Sequence, residues 1–439
     1  MKHLAPTIFR AFACAGGACP DSCCRAGWEI IPDEKTLKLY EKLPGAAGDR
    51  VRAGIVQPCR GAQCAPAGES EPLLRQDERR VCVLLDPDGL CHVQKQFGHE
   101  ALCRVCREYP RFHREFGNLT EHGVSLSCPT AYALAVREPL QWETWEDEAP
   151  VVPNDLDPDA YLRLRRGRAL ALDLLAREDR TLWQRIALVR RLAAAIQKAP
   201  EKLVRHDYAP RLRRWEVLGS RDQGSGISVG SGFSVQGSAF SVRRDGTSFA
   251  SLPSAHVRRD GTLPSAMHLP VAAHTGAPRN RFRDRRDGTL PSAHARRDGT
   301  LPSARHTAGA VIGRPASGLD CLAERFAGLE ILSPAWGEKL ERFRTLLRDN
   351  AGARCAPLPG LWETDRPEVY ARYLAYSLYK YWLDALDDGN LLGRVERSLS
   401  MTLLGLALDR AFPEEGPHLQ RISREIEHCE ENLAALLSY

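Results

Sequence analysis

Apolar residues recur at three- and four-residue intervals through much of this chain, with Arg, Glu and Asp filling the positions between them. That spacing lays the apolar side chains along one face of an α-helix. Asp33–Leu43 reads as a short helix between Pro32 and the stop signal Pro44-Gly45. Asp157 and Pro158 form a cap and first-turn pair, and they open a segment in which Leu162, Leu170, Leu174 and Leu175 face away from arginines. Thr181–Lys198 repeats the pattern through Leu182, Ile186, Val189 and Leu192. Further along, Leu319–Leu332, Pro334–Arg348, Pro367–Leu386, Leu391–Phe412 and His418–Leu437 read as amphipathic helices. Alternating β-branched runs are scarce. The expected fold class is therefore mainly α, with a helical bundle large enough to bury its own core.

The helical pattern breaks off in one stretch. RRDGT occurs at Arg243–Thr247, Arg258–Thr262, Arg285–Thr289 and Arg296–Thr300, and the last three copies extend to RRDGTLPSA. A Gly/Ser-rich run precedes them, and the copies are irregularly spaced without the apolar periodicity that lets repeats stack. So few large apolar groups cannot offset the entropy of ordering the backbone. Residues 218–310 are expected to be a disordered insertion, with an Arg-rich arm for an acidic partner or nucleic acid as the functional alternative. The boundaries that follow are 1–135, 136–217, 218–310 and 311–439.

Charge is concentrated in the same stretch. The formal net charge is +5, yet 13 Arg and 6 Asp lie between Leu218 and Ala310, which leaves 48 basic and 50 acidic residues elsewhere. Basicity confined to one segment argues against nucleic acid as the main partner. The start, MKHLAPTIFRAFACAGG, lacks the apolar core of a signal peptide, and no stretch is long and apolar enough to span a membrane. A cytoplasmic location is expected.

Eleven of the fourteen cysteines fall in the first 128 residues, four of them as Cys14-x4-Cys19-x3-Cys23-Cys24. Thiols this dense are metal ligands, redox groups or a disulfide scaffold. A reducing compartment favours metal. Iron–sulfur clusters and structural zinc both take four thiolates, or three with a histidine, at short spacings. Cys103-x2-Cys106 suits either, and Cys82, Cys91 and Cys128 flank it. The CxxxCxxC loop of radical S-adenosylmethionine enzymes is absent, since Ala26 stands where its third cysteine would fall. His92 and His99 are poor rivals as ligands, and Cys321, Cys355 and Cys429 read as small buried apolar groups.

The residues around these cysteines carry a resemblance. FACAGGACPDSCCRAGWEI, VCVLLDPDGLCHVQKQFGHEALCRVCREYPR and SLSCPTA, within residues 1–135, look like the flagellin lysine-N-methylase family. The likeness continues more loosely through Val369–Gly389, VYARYLAYSLYKYWLDALDDG. Cys14, Cys19, Cys23, Cys24, Cys82, Cys91, Cys103, Cys106 and Cys128 match family positions; Cys59, Cys64 and the RRDGT stretch do not. The resemblance implies a cysteine-rich metal-binding region packed on the helical bundle. It also implies methyl transfer from S-adenosylmethionine to lysines of flagellin. The implied centre is an iron–sulfur cluster, 4Fe-4S, with zinc as the alternative. A non-enzymatic zinc- or iron-delivery module is the alternative function.

No glycine-rich strand-to-helix fingerprint marks a methyl-donor site outside the insertion. Tyrosine suits a lysine channel, because its ring packs on the aliphatic stem while its hydroxyl orients the amine. Tyr370, Tyr373, Tyr376 and Tyr379 are the candidate catalytic residues, with Tyr381, Asp384, Asp387 and Asp388 beside them. The plainer reading of the same residues is aromatic packing of one helix into the core.

Overall fold

In a computed structural model, residues 1–56, 71–149, 156–198, 315–351 and 364–437 are described. The insertion 218–310 lies outside the described residues, as do Cys59, Cys64 and Cys355.

The amino-terminal third contains a sheet that the scarcity of β-branched runs did not foretell. Strands β1 (Lys2–Pro6), β4 (Arg111–Phe116), β5 (Leu119–Val124) and β6 (Trp142–Glu146) form one sheet in the order β4-β5-β1-β6. β1 runs parallel to β5, with Lys2 opposite Leu119, and antiparallel to β6, with His3 opposite Trp145. β4 and β5 pair antiparallel across a tight turn in which Gly117 adopts φ 63°. A second, two-stranded sheet joins β2 (Ile55–Val56) to β3 (Leu73–Leu74). Among the described residues of this third there are also short helices: α1 (Ile8–Ala11), α2 (Glu34–Glu41), α3 (Gly45–Ala53), α4 (His92–Phe97), α5 (Arg104–Glu108) and α6 (Pro129–Arg137).

The remaining described residues are mainly helical, as the apolar spacing required. They form α7 (Pro158–Leu175), α8 (Leu182–Lys198), α9 (Pro315–Ala327), α10 (Pro334–Ala351), α11 (Pro367–Tyr381), the one-turn α12 (Ala385–Asp388), α13 (Leu391–Ala411), α14 (His418–Ile426) and α15 (Glu430–Ala435). α11 and α13 are buried on nearly all sides, whereas α7 and α8 keep arginine-bearing outer faces. Among the described residues no helix is long and apolar enough to cross a membrane.

Two apolar cores result. The larger runs from Phe12 and β5 through α6, α7 and α8 to α11, α13 and α14. The smaller has eight buried members, Tyr40, Leu43, Val51, Leu74, Leu84, Val93, Ala101 and Leu102, with Cys82, Cys91 and Cys106 packed against it. A core that small contributes little stability by itself, so its lobe depends on additional ties.

The central strand β5 is docked onto α11 by a close approach. A Cβ on Gly123 would sit 2.4 Å from the Phe112 ring and 3.0 Å from the Tyr376 hydroxyl, so only glycine admits the tyrosine helix here. Tyr376 Oη then accepts from Val124 N–H at 2.7 Å, and Tyr379 O–H donates to His122 O at 2.6 Å. Behind them Arg168 of α7 forms a two-point ion pair with Glu121 of β5, both nearly inaccessible to solvent.

Candidate metal centre

Four segments of the small lobe converge through their cysteines. Cys23 and Cys24 stand on the 3-10 turn Cys23–Arg25, opened by Ser22, whose Oγ accepts from Cys24 N–H at 3.3 Å. Cys82 is held to that turn by its own N–H, which donates to Cys24 O at 2.9 Å. Cys91 is the N-cap of α4, and Cys103 is the N-cap of α5. Cys106 lies three residues beyond Cys103, on the same helix face.

Together Cys23, Cys24, Cys82, Cys91, Cys103 and Cys106 line a cavity of about 50 Å³, walled otherwise by Gln76 and by largely apolar groups such as Trp28, Tyr40 and Leu84. All are free thiols. Among the described residues no group of three or more His, Cys, Asp or Glu side chains is placed to hold a single metal ion. The six cysteines share the wall of one cavity, and within it Cys24 meets Cys23 and Cys91 while Cys106 meets Cys103.

The thiols also share protons. Cys24 is hydrogen-bonded to the sulfurs of Cys23 and Cys91, which pushes Cys24 well up. The same bonds draw Cys91 down to about 6 and Cys23 down to about 7. At Cys91 the backbone N–H groups of Gln94 and Val93, at the start of α4, add to the effect. Cys106 is raised by its bond to Cys103, which is lowered in return, while burial pushes Cys82 up to about 11. Thiolate, the metal-binding form, is thus favoured at Cys91 and Cys23 near neutral pH.

Cys14, Cys19 and Cys128 are not among the residues lining that cavity. They make a second, neighbouring set. Cys128 is the buried N-cap of α6, close enough to Cys19 and Cys14 for their charges to act on it, and the charges of Cys14 and Cys23 act on Cys19. Burial raises both Cys19 and Cys128. Of the two scattered cysteines that are described, Cys429 is buried as expected, but Cys321 is exposed, contrary to its apolar reading. Cys429 also has a polar task, since its Sγ accepts from Asn432 N–H at 3.4 Å at the start of α15.

One side chain that fastens the cavity was not singled out by anything in the sequence pattern. Arg424 of α14 is buried and reaches across to the loop before Cys23, donating to Asp21 O at 3.0 Å and Ser22 O at 3.2 Å while pairing with the Asp21 carboxylate at 2.5 Å. Its guanidinium lies 5.6 Å from the centre of the Trp28 ring. No local signal joins residues four hundred positions apart.

Asp33 caps α2 by accepting from Thr36 N–H at 3.1 Å, and its second oxygen accepts from Arg104 N–H at 2.9 Å, directly after Cys103. One carboxylate thereby orders two helix starts. Asp33→Ala is expected to cost about 1–2 kcal/mol in urea unfolding at neutral pH. The Arg104 N–H bond first, with help from Thr36, holds this carboxyl down at about 2. A depressed carboxyl stabilises the fold above its unfolded value, about 3.9, and loses that contribution as pH falls through about 2. The stability curves of wild type and variant should therefore converge between about pH 4 and pH 2. A gap that stays constant across that range would refute the assignment.

The four candidate tyrosines are buried on α11 with their hydroxyls engaged. Tyr370 O–H donates to Asp409 at 2.9 Å and Tyr373 shares a proton with Ser423 Oγ at 2.8 Å. Tyr376 and Tyr379 hold β5, as described above. Burial raises the phenols of all four. Tyr381 differs: its hydroxyl is buried without a hydrogen-bond partner.

Among curated proteins, the chain is 30% identical over 145 residues to flagellar biosynthetic protein FliU of Salmonella muenchen, covering 30% of this chain and 76% of that protein. It is 31% identical over 145 residues to the lysine-N-methylases of Salmonella typhimurium and Salmonella choleraesuis, again covering 30% of this chain. The matched part spans 32% of the length of each of those two methylases. No protein-family model matches the chain, and no solved structure does.

Proposed function

This chain belongs to the flagellin lysine-N-methylase family, and from that membership we propose that it transfers methyl groups from S-adenosylmethionine to lysine side chains of flagellin. The observation that carries the proposal is the match to proteins named lysine-N-methylase. The six-cysteine cavity lends it further support.

The donor set of that cavity fits an iron–sulfur core. Zinc draws its thiolates to about 2.3 Å from one point, which leaves no lumen. A space of about 50 Å³ with six cysteines among its lining residues suits a group of several atoms. Cys23, Cys24, Cys82, Cys91, Cys103 and Cys106 are the residues that would hold it, four as ligands of a 4Fe-4S cluster. When bound, such a centre supplies binding free energy that ties a lobe with little apolar core into one piece. The protein's part is to offer thiolate at Cys91 and Cys23, to exclude water with Trp28, Tyr40 and Leu84, and to anchor the turn through Arg424.

Methylating a lysine is an in-line displacement at a sulfonium methyl. The amine must lose its proton first, because a free lysine titrates near about 10.4. Desolvation or a neighbouring carboxylate can provide the neutral form. Alignment of nitrogen, carbon and sulfur supplies much of the remaining rate gain. With their hydroxyls already engaged, Tyr370, Tyr373, Tyr376 and Tyr379 enter this reading as the wall that fixes such a site, and not as groups free to act on the amine.

The test is direct. Protein purified without oxygen is incubated with methyl-labelled S-adenosylmethionine and flagellin, and iron, acid-labile sulfide and zinc are measured on the same sample. Label on flagellin lysines is the expected result. Absence of transfer, together with metal that passes readily to an apo-acceptor, would replace this reading with metal delivery.

A further inference from the structure

Past the end of α11 the buried charges do not balance. Arg397, on the inner face of α13, is 3% exposed. Its Nη1 donates to Leu433 O at 3.3 Å. Nε and Nη2, the edge with which a guanidinium grips a planar carboxylate, have no hydrogen-bond partner. The guanidinium rests on the Tyr381 ring at 4.3 Å from its centre, with Lys380 Nζ at 4.9 Å and Arg114 at 5.9 Å from that centre. Three cations thus surround one phenol, whose hydroxyl is itself buried and unpaired.

The neighbouring cations already have carboxylates. Lys380 pairs with Glu427 at 2.6 Å, Arg394 with Asp388 at 2.9 Å, and Arg114 with Asp384. Of these four cations only Arg397 lacks a carboxylate partner among the described residues. A buried guanidinium with its bidentate edge idle is costly to the fold and is kept where a ligand completes it. Arg114 and Asp384 retain 29% and 26% of their side-chain exposure, so this charged cluster reaches the surface at that pair.

We propose that the free edge of Arg397 and the Tyr381 hydroxyl form a subsite for the carboxylate of a small amino-acid-like ligand. On the methylase reading, from which this assignment of the ligand follows, that ligand is the amino-acid end of the methyl donor. An α-amino acid also carries an ammonium, and Asp384 and Glu427, paired with Arg114 and Lys380, are the carboxylates whose charges reach Arg397. A planar carboxylate matches the Nε and Nη2 fork as a bidentate partner, which a lysine in the same place would not.

The experiment is calorimetric titration of the reduced full-length chain with S-adenosylhomocysteine and with its analogue lacking the carboxylate. Wild type should bind the carboxylate form about 10–100-fold more tightly. Arg397→Lys should lose that preference while binding the decarboxylated analogue as before. Arg397→Met, which removes an unsatisfied buried charge, should leave the free protein folded with a raised Tm. Equal affinity for the two ligands, no binding of either, or a lowered Tm in Arg397→Met would each overturn the subsite. Flagellin methylation alongside any of those results would leave the methylase reading standing. Carboxylate preference without methyl transfer would overturn that reading and keep the subsite.

Discussion

Cys91→Ser should lower the affinity of the small lobe for its metal centre by more than about 100-fold, because even an outer-shell partner of a metal ligand is worth 10–100-fold. Serine keeps the size and hydrogen-bonding capacity of the side chain, so the loss reports on the thiolate alone. Cys91 is the most exacting position to test. It bonds to Cys24, caps α4 and is among the two thiols drawn furthest toward thiolate. Cys106→Ser should behave alike, because Cys106 lines the same cavity. Metal content, sulfide content and flagellin methylation should fall together, and the lobe should become sensitive to protease, as its eight-residue core is too small to hold by itself. Cys128→Ser, in the neighbouring set, should spare the cavity centre. If Cys91→Ser keeps a full complement of iron and sulfide, the cavity does not house the centre.

Whether those nine cysteines act as one set or two could not be read from their order. Cys19, Cys23 and Cys24 are within five residues of each other, yet Cys23 and Cys24 line the cavity with Cys82, Cys91, Cys103 and Cys106, while Cys19 lies outside its lining and acts on Cys128. Around these cysteines the chain makes two 3-10 turns, Gly16–Ala18 ending at Cys19 and Cys23–Arg25, local bends that sequence spacing does not encode. By contrast, the long helices were legible. Pro158–Leu175, Leu182–Lys198, Pro334–Ala351 and Leu391–Ala411 fall within a few residues of the positions that apolar periodicity assigned them.

Where helices deviate, a side chain from elsewhere has claimed the backbone. Leu319–Leu332 was read as helical throughout, but the helix stops at Ala327, and beyond it Glu330 N–H donates to Asn432 while Leu332 N–H donates to Glu425. His418–Leu437 is split after Ile426 because Glu427 turns away to Lys380 and Ser125, and Cys429 opens a new cap. The sheet was missed for a related reason. RFHREF, LTEHGV and WETWE are rich in charged and histidine residues, so they lack the β-branched signature, and β5 is nonetheless buried. Its charged residue, Glu121, is tolerated inside only because Arg168 arrives from α7.

That pair is the second place where one substitution should have a large effect. Arg168 and Glu121 are 4% and 3% exposed, and the guanidinium bonds both carboxylate oxygens and also donates to Tyr379 O at 3.0 Å. The Tyr379 ring lies 5.0 Å away, so one arginine joins sheet, α7 and α11. Arg168→Met should cost about 3–5 kcal/mol in urea unfolding, because it strands a carboxylate in the core. Arg168→Met with Glu121→Leu should recover most of that, since an apolar pair of similar volume removes the stranded charge along with its partner. Recovery should fall short by about 1 kcal/mol, the worth of the donor lost at Tyr379 O. Because α11 also carries Tyr381, the single variant should weaken ligand binding at Arg397 as well as stability, and the double variant should restore both in parallel. An Arg168→Met protein as stable as wild type would mean that the buried carboxylate finds another partner, and that the sheet is held to the bundle by apolar contact alone.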